Sequence, residues 1–367
     1  MSQAFHGGRL LDAEREFGLP RDQFIDFSSN LNVFAPFVSA LEWESWAAQI
    51  SRYPETDSEA LRYRVAAFYR VGVEHVLPTS GATEALYLAA RLFDGCKVAI
   101  IEPGFSDYSR SFDAVDCERR HVTLPRTLWF EPIEEWAHLL EPFDVVVIGN
   151  PNNPTGSFQR RAGFIRLFGK GWQRPKSWVI DEAFLEFVED AENETLLSVV
   201  EEFPSLIIIR SLTKSWRIPG LRLGFLATAG SIDRLRRMQP PWTVNGLAEA
   251  WSETFLLEER RAELALSLEA LRIEKRRFFK QLNEVPWIRP HCGAANFLLV
   301  ELASELLEAR TLYRELGQRG LLVRVCDSFR GMAGGRFVRL AVRTSAENDR
   351  LVRELSALCE QKIRRVA

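Results

Sequence analysis

The sequence predicts an α/β fold in which a large unit with a mostly parallel sheet is joined to a smaller α/β unit. Two patterns carry that expectation. Through the middle of the chain, apolar runs of strand length alternate with amphipathic stretches, and the runs are continuous rather than alternating, as in strands covered on both faces. Further on, residues 245–282 keep apolar residues at helical spacing with charged ones between them, the pattern of one long helix able to join two domains.

Taken in order, the strands are expected at 98–102, 144–149, 178–180, 206–210 and 223–227, with helices near 83–93, 132–140 and 160–168. After the long helix, 296–302, 321–326 and 337–342 read as strands separated by helices. The large domain is expected to span 46–241, and the small one to combine 1–45 with 242–367. No internal repeat, low-complexity linker or amino-terminal helix-turn-helix pattern is visible, so a transcriptional regulator is not expected.

Composition narrows the function. A chain of 367 residues is long enough for a full-sized core. Lys and Arg number 47 against 50 Asp and Glu, a balance that gives no reason to expect nucleic acid or an anionic membrane as partner. The run Arg234-Leu235-Arg236-Arg237 reads as a solvated helix face. No apolar run approaches the ~20 residues a bilayer requires, and the first residues lack a signal-peptide pattern. The five cysteines, at 96, 117, 292, 326 and 359, are scattered with no Cys-x-x-Cys pair. They read as reduced thiols in a cytoplasmic protein, with neither a disulfide framework nor a metal site.

The most informative segment runs from Ser211 to Phe225. Lys214 leaves the apolar stretch Leu206-Ile207-Ile208-Ile209 for a turn of hydroxyl residues, and Arg222 follows eight positions later. Desolvation and a nearby cation lower an amine's pKa and free its lone pair, which suits Lys214 to imine chemistry. Ser211, Thr213 and Arg222 are suited to the phosphate of the cofactor that such a lysine would hold.

This segment resembles the lysine signature of the fold-type I, pyridoxal-phosphate-dependent aminotransferase superfamily. Asp181-Glu182-Ala183-Phe184 after Trp178-Val179-Ile180, the turn Asn150-Pro151-Asn152-Asn153-Pro154-Thr155-Gly156, and Ser80-Gly81-Ala82-Thr83-Glu84 opening a helix are similar to its other motifs, in the same order. Within the superfamily the chain looks like the L-threonine O-3-phosphate decarboxylases of cobalamin biosynthesis, with the histidinol-phosphate aminotransferases as the nearest alternative. The segments similar to the decarboxylases are His6-Gly7-Gly8, Asp26-Phe27-Ser28-Ser29-Asn30-Leu31-Asn32, Arg52-Tyr53-Pro54, Pro103-Gly104-Phe105-Ser106-Asp107-Tyr108, Pro241-Trp242-Thr243-Val244-Asn245, Arg324-Val325-Cys326 and Val338-Arg339.

The resemblance implies pyridoxal 5'-phosphate as cofactor and assigns roles. Lys214 holds the cofactor, Asp181 its ring nitrogen and Asn153 its phenolic oxygen, while Phe105 stacks on the ring. Gly81, Ala82 and Thr83, at the start of a helix, face its phosphate together with Ser211, Thr213 and Arg222. Tyr53 is implied to reach the cofactor phosphate of a partner subunit, making a homodimer with shared active sites. On the substrate side, Arg339 is implied for a carboxylate, and Arg324 for a phosphate with His6, Gly7 and Gly8; Asn30 and Asn153 complete the set. Plainer readings stand beside these: a helix-capping carboxylate for Asp181, an Asx turn for Asn153, surface salt bridges for the two arginines. Two departures matter. Phe184 stands where many aminotransferases have Tyr, and Val33-Phe34-Ala35-Pro36 replaces the usual Asn-Pro-Leu-Gly in a loop expected to border the substrate.

Overall fold

The computed structural model describes residues 7–36, 38–169, 176–303 and 307–366. Its centre is a seven-stranded sheet. In spatial order the strands are Val76–Thr79, Gly224–Ala227, Leu206–Ser211, Ser177–Asp181, Val145–Gly149, Lys97–Glu102 and Glu118–Thr123. Gly224–Ala227 runs antiparallel to both of its neighbours, and every other pairing is parallel.

Continuous apolarity had the expected cause. Along Leu206–Ser211, Leu206 and Ile208 enter one apolar cluster while Ile207 and Ile209 enter another on the opposite face. Val146 and Ile148 divide from Val145 and Val147 in the same way. Each such side chain, fully buried, contributes roughly 1.5–3 kcal/mol of transfer free energy. The two strands that the pattern missed are the sheet's edges. Glu118–Thr123 has one paired neighbour and a half-exposed, charged sequence, and Val76–Thr79 carries Pro78, which an edge strand tolerates.

Helix Gly81–Ala90 overlaps the range expected but starts two residues earlier, and Arg161–Gly169 matches its range to within one residue at each end; the stretch 132–140 divides into an α-helical turn, Ile133–Trp136, and a 3-10 turn, Ala137–Leu140. The single helix expected over 245–282 is two. Gly246–Phe255 is capped by the Asn245 side chain, which accepts from the Ala248 N–H, and Glu258–Asn283 follows after an extended Leu257 at φ −110° and ψ 153°. The apolar spacing passes through this break because Leu256 remains buried, and no Gly or Pro marks it.

A second, four-stranded sheet is antiparallel throughout, in the order Arg324–Val325, Phe337–Ala341, Phe297–Leu302, Ile288–His291. The strand expected over 321–326 is in fact two short ones. Leu321–Leu322 pairs in parallel with Ile25–Asp26, and only Arg324–Val325 joins the four-stranded sheet. The amino-terminal segment is thereby fixed beside the carboxy-terminal region. Among the described residues no helix is long and apolar enough to cross a membrane.

Candidate active site

The parallel strands end along one edge of the large sheet, the usual place for a ligand in such folds. Pro103-Gly104-Phe105 follows Lys97–Glu102, Asn150 follows Val145–Gly149, Asp181 ends Ser177–Asp181, and Lys214 lies in a helical turn, Leu212–Ser215, directly after Leu206–Ser211. They open on a cavity of about 200 Å³. Its lining includes Gly7, Asn30, Ala82, Thr83, Phe105, Asn153, Asp181, Ser211, Thr213, Lys214, Arg222, Arg324 and Arg339. Residues spread over more than three hundred positions thus converge on one space.

Lys214 is held from both sides of its turn. Its carbonyl accepts from the Asn32 N–H at 2.9 Å, and the Asn32 side chain donates to the Ser215 carbonyl at 3.0 Å. Burial, followed by the charges of Arg339 and Arg222, pulls its amine down to about 8, while Asp181 acts in the opposite sense. At pH 7 this leaves about 300-fold more neutral amine than an ordinary lysine carries. Asp181 is 7% exposed. Burial pushes its carboxyl up to about 6, against the Tyr108 hydroxyl and the Ala183 N–H, which favour the ion. The Ala183 bond, 3.0 Å to Oδ1, closes a local turn and does not cap a helix, since the 3-10 turn Leu185–Phe187 that follows has no side-chain cap. It coexists with the carboxylate's place on the cavity wall.

The anion cradle is built from close backbone approach. Helix Gly81–Ala90 begins without a side-chain cap from Ser80, so its first-turn N–H groups are available at the positive end of the helix. Gly81 has φ +76°, and a Cβ there would lie 2.7 Å from the Arg222 guanidinium. A Cβ on Gly224 would lie 2.8 Å from the Ala82 nitrogen. Ser211 and Thr213 join their hydroxyls at 2.7 Å on the other side. An amine of lowered basicity, a buried carboxylate, an aromatic ring at Phe105 and this cradle fit a phosphorylated aromatic aldehyde. The phenylalanine is carried on a turn fixed by Glu102, whose Oε2 accepts from the Gly104 N–H at 2.7 Å.

The opposite wall is cationic. Arg324 and Arg339 are direct partners across antiparallel strands, 8% and 5% exposed, and neither has a salt-bridge partner among the described residues. Arg339 donates to the Ser28 carbonyl at 2.8 Å and to the Asn153 amide oxygen. The Asn30 amide, turned with its oxygen inward, accepts from both guanidinium ends at 3.0 and 3.3 Å. The same guanidinium lies over Phe297, which meets Phe184 edge-on. Arg324 donates to the Val325 carbonyl and to Ser328 Oγ at 2.8 and 2.7 Å. Burial is the largest influence on both, and it disfavours their charge. The salt-bridge reading of these arginines therefore fails.

Gly7 and Gly8 join this wall through Ser28. A Cβ on Gly7 would lie 2.0 Å from the Ser28 carbonyl oxygen, and the Gly8 N–H donates to Ser28 Oγ at 3.0 Å. Gly8 itself does not line the cavity, and His6 lies outside the described residues. Tyr53 is elsewhere on this subunit, 87% exposed, with its ring 5.5 Å from that of Trp242. The loop Val33-Phe34-Ala35-Pro36 does not line the cavity, contrary to expectation. Asn32 turns it away, its carbonyl and side-chain oxygens accepting from Ala35 and Phe34. Sequence reasoning assigned no role to Ser28, Tyr108, Ser328 or Phe329, all of which line the cavity. Tyr108 was the accessible one, one helical turn after Phe105.

Comparison with known proteins agrees with the geometry. The threonine-phosphate decarboxylase of Salmonella typhimurium is 31% identical over 355 residues, 95% of each chain. The histidinol-phosphate aminotransferase of Thermoanaerobacter pseudethanolicus is 27% identical over 317 residues, 85% of this chain and 86% of the relative. The crystal structure of the histidinol-phosphate aminotransferase from Clostridium acetobutylicum superposes with a TM-score of 0.81 at 26% identity, covering 90% of this chain and 98% of that one. Residues 22–355 match the family described as aminotransferase class I and II. The chain therefore belongs to the class I and II aminotransferase family, a fold-type I, pyridoxal 5'-phosphate-dependent family.

Proposed function

We propose that this protein decarboxylates L-threonine O-3-phosphate to (R)-1-amino-2-propanol O-2-phosphate in cobalamin biosynthesis, as a cytoplasmic lyase. The observation that carries the reading is the pair Arg324 and Arg339. Two buried guanidinium groups, adjacent across strands and without carboxylate partners among the described residues, call for two anionic groups on what binds there. An amino-acid phosphate has both. The similarity over 95% of the chain to a threonine-phosphate decarboxylase supports the same substrate class.

When bound, pyridoxal phosphate supplies an electron sink conjugated to the substrate's Cα. The roles of this chain's residues follow from their places. Lys214 Nζ holds the cofactor between turnovers and is placed to carry a proton at Cα. Asp181 would keep the ring nitrogen protonated, Phe105 and Ala183 would bound the ring, and Asn153, whose amide oxygen is taken by Arg339, would have its amide N–H groups left for the phenolic oxygen. Ala82, Thr83, Ser211, Thr213 and Arg222 hold the cofactor phosphate, with Gly81 giving Arg222 room. Arg339, with Asn30, orients the substrate carboxylate, and Arg324, with His6, Gly7 and Gly8, the substrate phosphate. Gripping both ends of the substrate would orient its Cα, and so select which bond there breaks.

A second reading is a transaminase acting on histidinol phosphate, favoured by the similarity to those aminotransferases; a dicarboxylate amino donor would use the same two arginines. Phe184 argues against it, since the phenolic oxygen lacks the tyrosine donor common in transaminases. A side-by-side assay of threonine phosphate, serine phosphate and histidinol phosphate, with carbon dioxide measured, separates them. Release of carbon dioxide from threonine phosphate supports the proposal. Turnover of histidinol phosphate with 2-oxoglutarate and of neither amino-acid phosphate overturns it.

The proposal includes a homodimer, divided within each subunit into a large domain, 46–241, and a small one, 1–45 with 242–367. The exposed Tyr53, beside Trp242, is then given to the partner's cofactor phosphate. Sedimentation at micromolar concentration tests this, and a fully active monomer would contradict it.

A further inference from the structure

We infer that Tyr108 is a positioning residue, holding Asp181 ionised and aimed at the cofactor's ring nitrogen while bracing the stacking ring of Phe105. The inference rests on the reading of Asp181 given above.

Tyr108 is 2% exposed, on the short helix Ser106–Arg110 that follows the Phe105 turn. Its hydroxyl donates to Asp181 Oδ2 at 2.9 Å, while the other carboxylate oxygen accepts from Ala183 at 3.0 Å. Both oxygens are thus held by protein donors from two directions, which fixes the plane of the carboxylate. The Tyr108 ring meets that of Phe105 edge-on, with centroids 5.6 Å apart and an interplanar angle of 84°. One side chain therefore contacts both Phe105 and Asp181, the residues that would face the cofactor's ring and its nitrogen.

The backbone is shaped around this hydroxyl. Gly149 lies directly across from Asp181 in the parallel register. A Cβ at Gly149 would come within 2.5 Å of the Tyr108 oxygen. The glycine ending an otherwise β-branched run is thus explained by the need to admit the phenol.

The electrostatics act in one direction. Burial pushes Tyr108 well above its ordinary range, and Asp181, Glu102 and Asp107 add to that, so the phenol stays protonated and remains a donor. Around Asp181, burial and Glu182 oppose ionisation, whereas Tyr108, the Ala183 N–H and Lys214 favour it. Removing the phenol's proton donor shifts that balance toward a protonated carboxyl. A neutral Asp181 no longer stabilises a proton on the ring nitrogen, so a function that needs the ion is lost from the acid side.

Tyr108→Phe keeps the ring and deletes the donor. Its expected result is an acid limb of kcat displaced upward by about one pH unit. The affinity of the apoprotein for pyridoxal 5'-phosphate, titrated by absorbance from pH 5 to 8, is expected to show the same displacement. Gly149→Ala, which crowds the hydroxyl off Asp181 without removing it, gives a second route to the same displacement and serves if the first variant fails to fold. A rate reduced equally at every pH, with both acid limbs unmoved, marks a purely structural tyrosine and overturns the inference. Asp181→Ala separates the two levels. If it keeps wild-type affinity and rate, the cofactor reading itself fails; if it loses both while Tyr108→Phe titrates as wild type, only the role of Tyr108 fails.

Discussion

The cofactor-facing wall of the cavity is a row of strand ends, whereas the facing wall is assembled from separate parts of the chain. Asp181 and Lys214 each sit within a few residues of a buried parallel strand, so the sheet that forms the core also sets their positions. Arg324 and Arg339 come from short antiparallel strands, Asn30 and Gly7 from the amino-terminal segment, and Ser28 ties them together through its carbonyl and hydroxyl. The first wall inherits its rigidity from the core. The second depends on hydrogen bonds between segments distant in sequence, and under the proposed function it is the wall that would read the substrate.

That contrast can be broken most severely at Lys214. Lys214→Ala is expected to lower turnover by roughly a thousandfold or more, because no other amine lines the cavity among the described residues. Borohydride reduction of the wild-type protein should fix the cofactor on the peptide containing Lys214, and label on another peptide would refute the assignment.

The substrate wall should respond more selectively. Arg324→Ala removes a charge-assisted contact worth roughly 1.5–3 kcal/mol, a loss of about ten- to a hundredfold in kcat/KM for threonine phosphate. Cofactor absorbance should persist, and unphosphorylated threonine, which has no group for Arg324, should be little affected. Equal losses on both substrates would mean that Arg324 supports the wall without reading the phosphate.

A pH profile sharpens the cofactor side. Lys214 in the apoprotein is lowered to about 8 by burial and by Arg339 and Arg222, so the neutral amine gains as pH rises through 8. The rate of cofactor capture should climb about tenfold for each pH unit below 8 and level off above it. A rate still rising tenfold per unit at pH 9 would show an ordinary, solvated lysine.

Arg339→Lys should be milder still. A lysine preserves the charge but cannot keep the Ser28, Asn30 and Asn153 contacts together with a forked carboxylate contact. KM is expected to rise several-fold with the cofactor retained, and an unchanged KM would remove Arg339 from the carboxylate site.

Sequence by itself determined the parallel core, because strands covered on both faces must be apolar at every position. It also pointed to the residues that line the strand-end wall of the cavity, because each lies within a few positions of such a strand and inherits its place from the backbone. The edge strand Glu118–Thr123 escaped it, since a half-exposed edge is freed from that demand, and so did Val76–Thr79, which is buried throughout but only four residues long and carries Pro78. So did the break at Leu257, where a buried Leu256 carries apolar spacing across two helices. Only the tertiary structure decided that Asn32 turns the Val33 loop away from the cavity, that Ser28 links Gly8 to Arg339, and that Gly149 admits the hydroxyl of Tyr108 to Asp181. The last two depend on contact between residues far apart in the chain, and the Asn32 turn, though local, is anchored by bonds to Lys214 and Ser215, so local propensity and periodicity carry no information about which groups will meet.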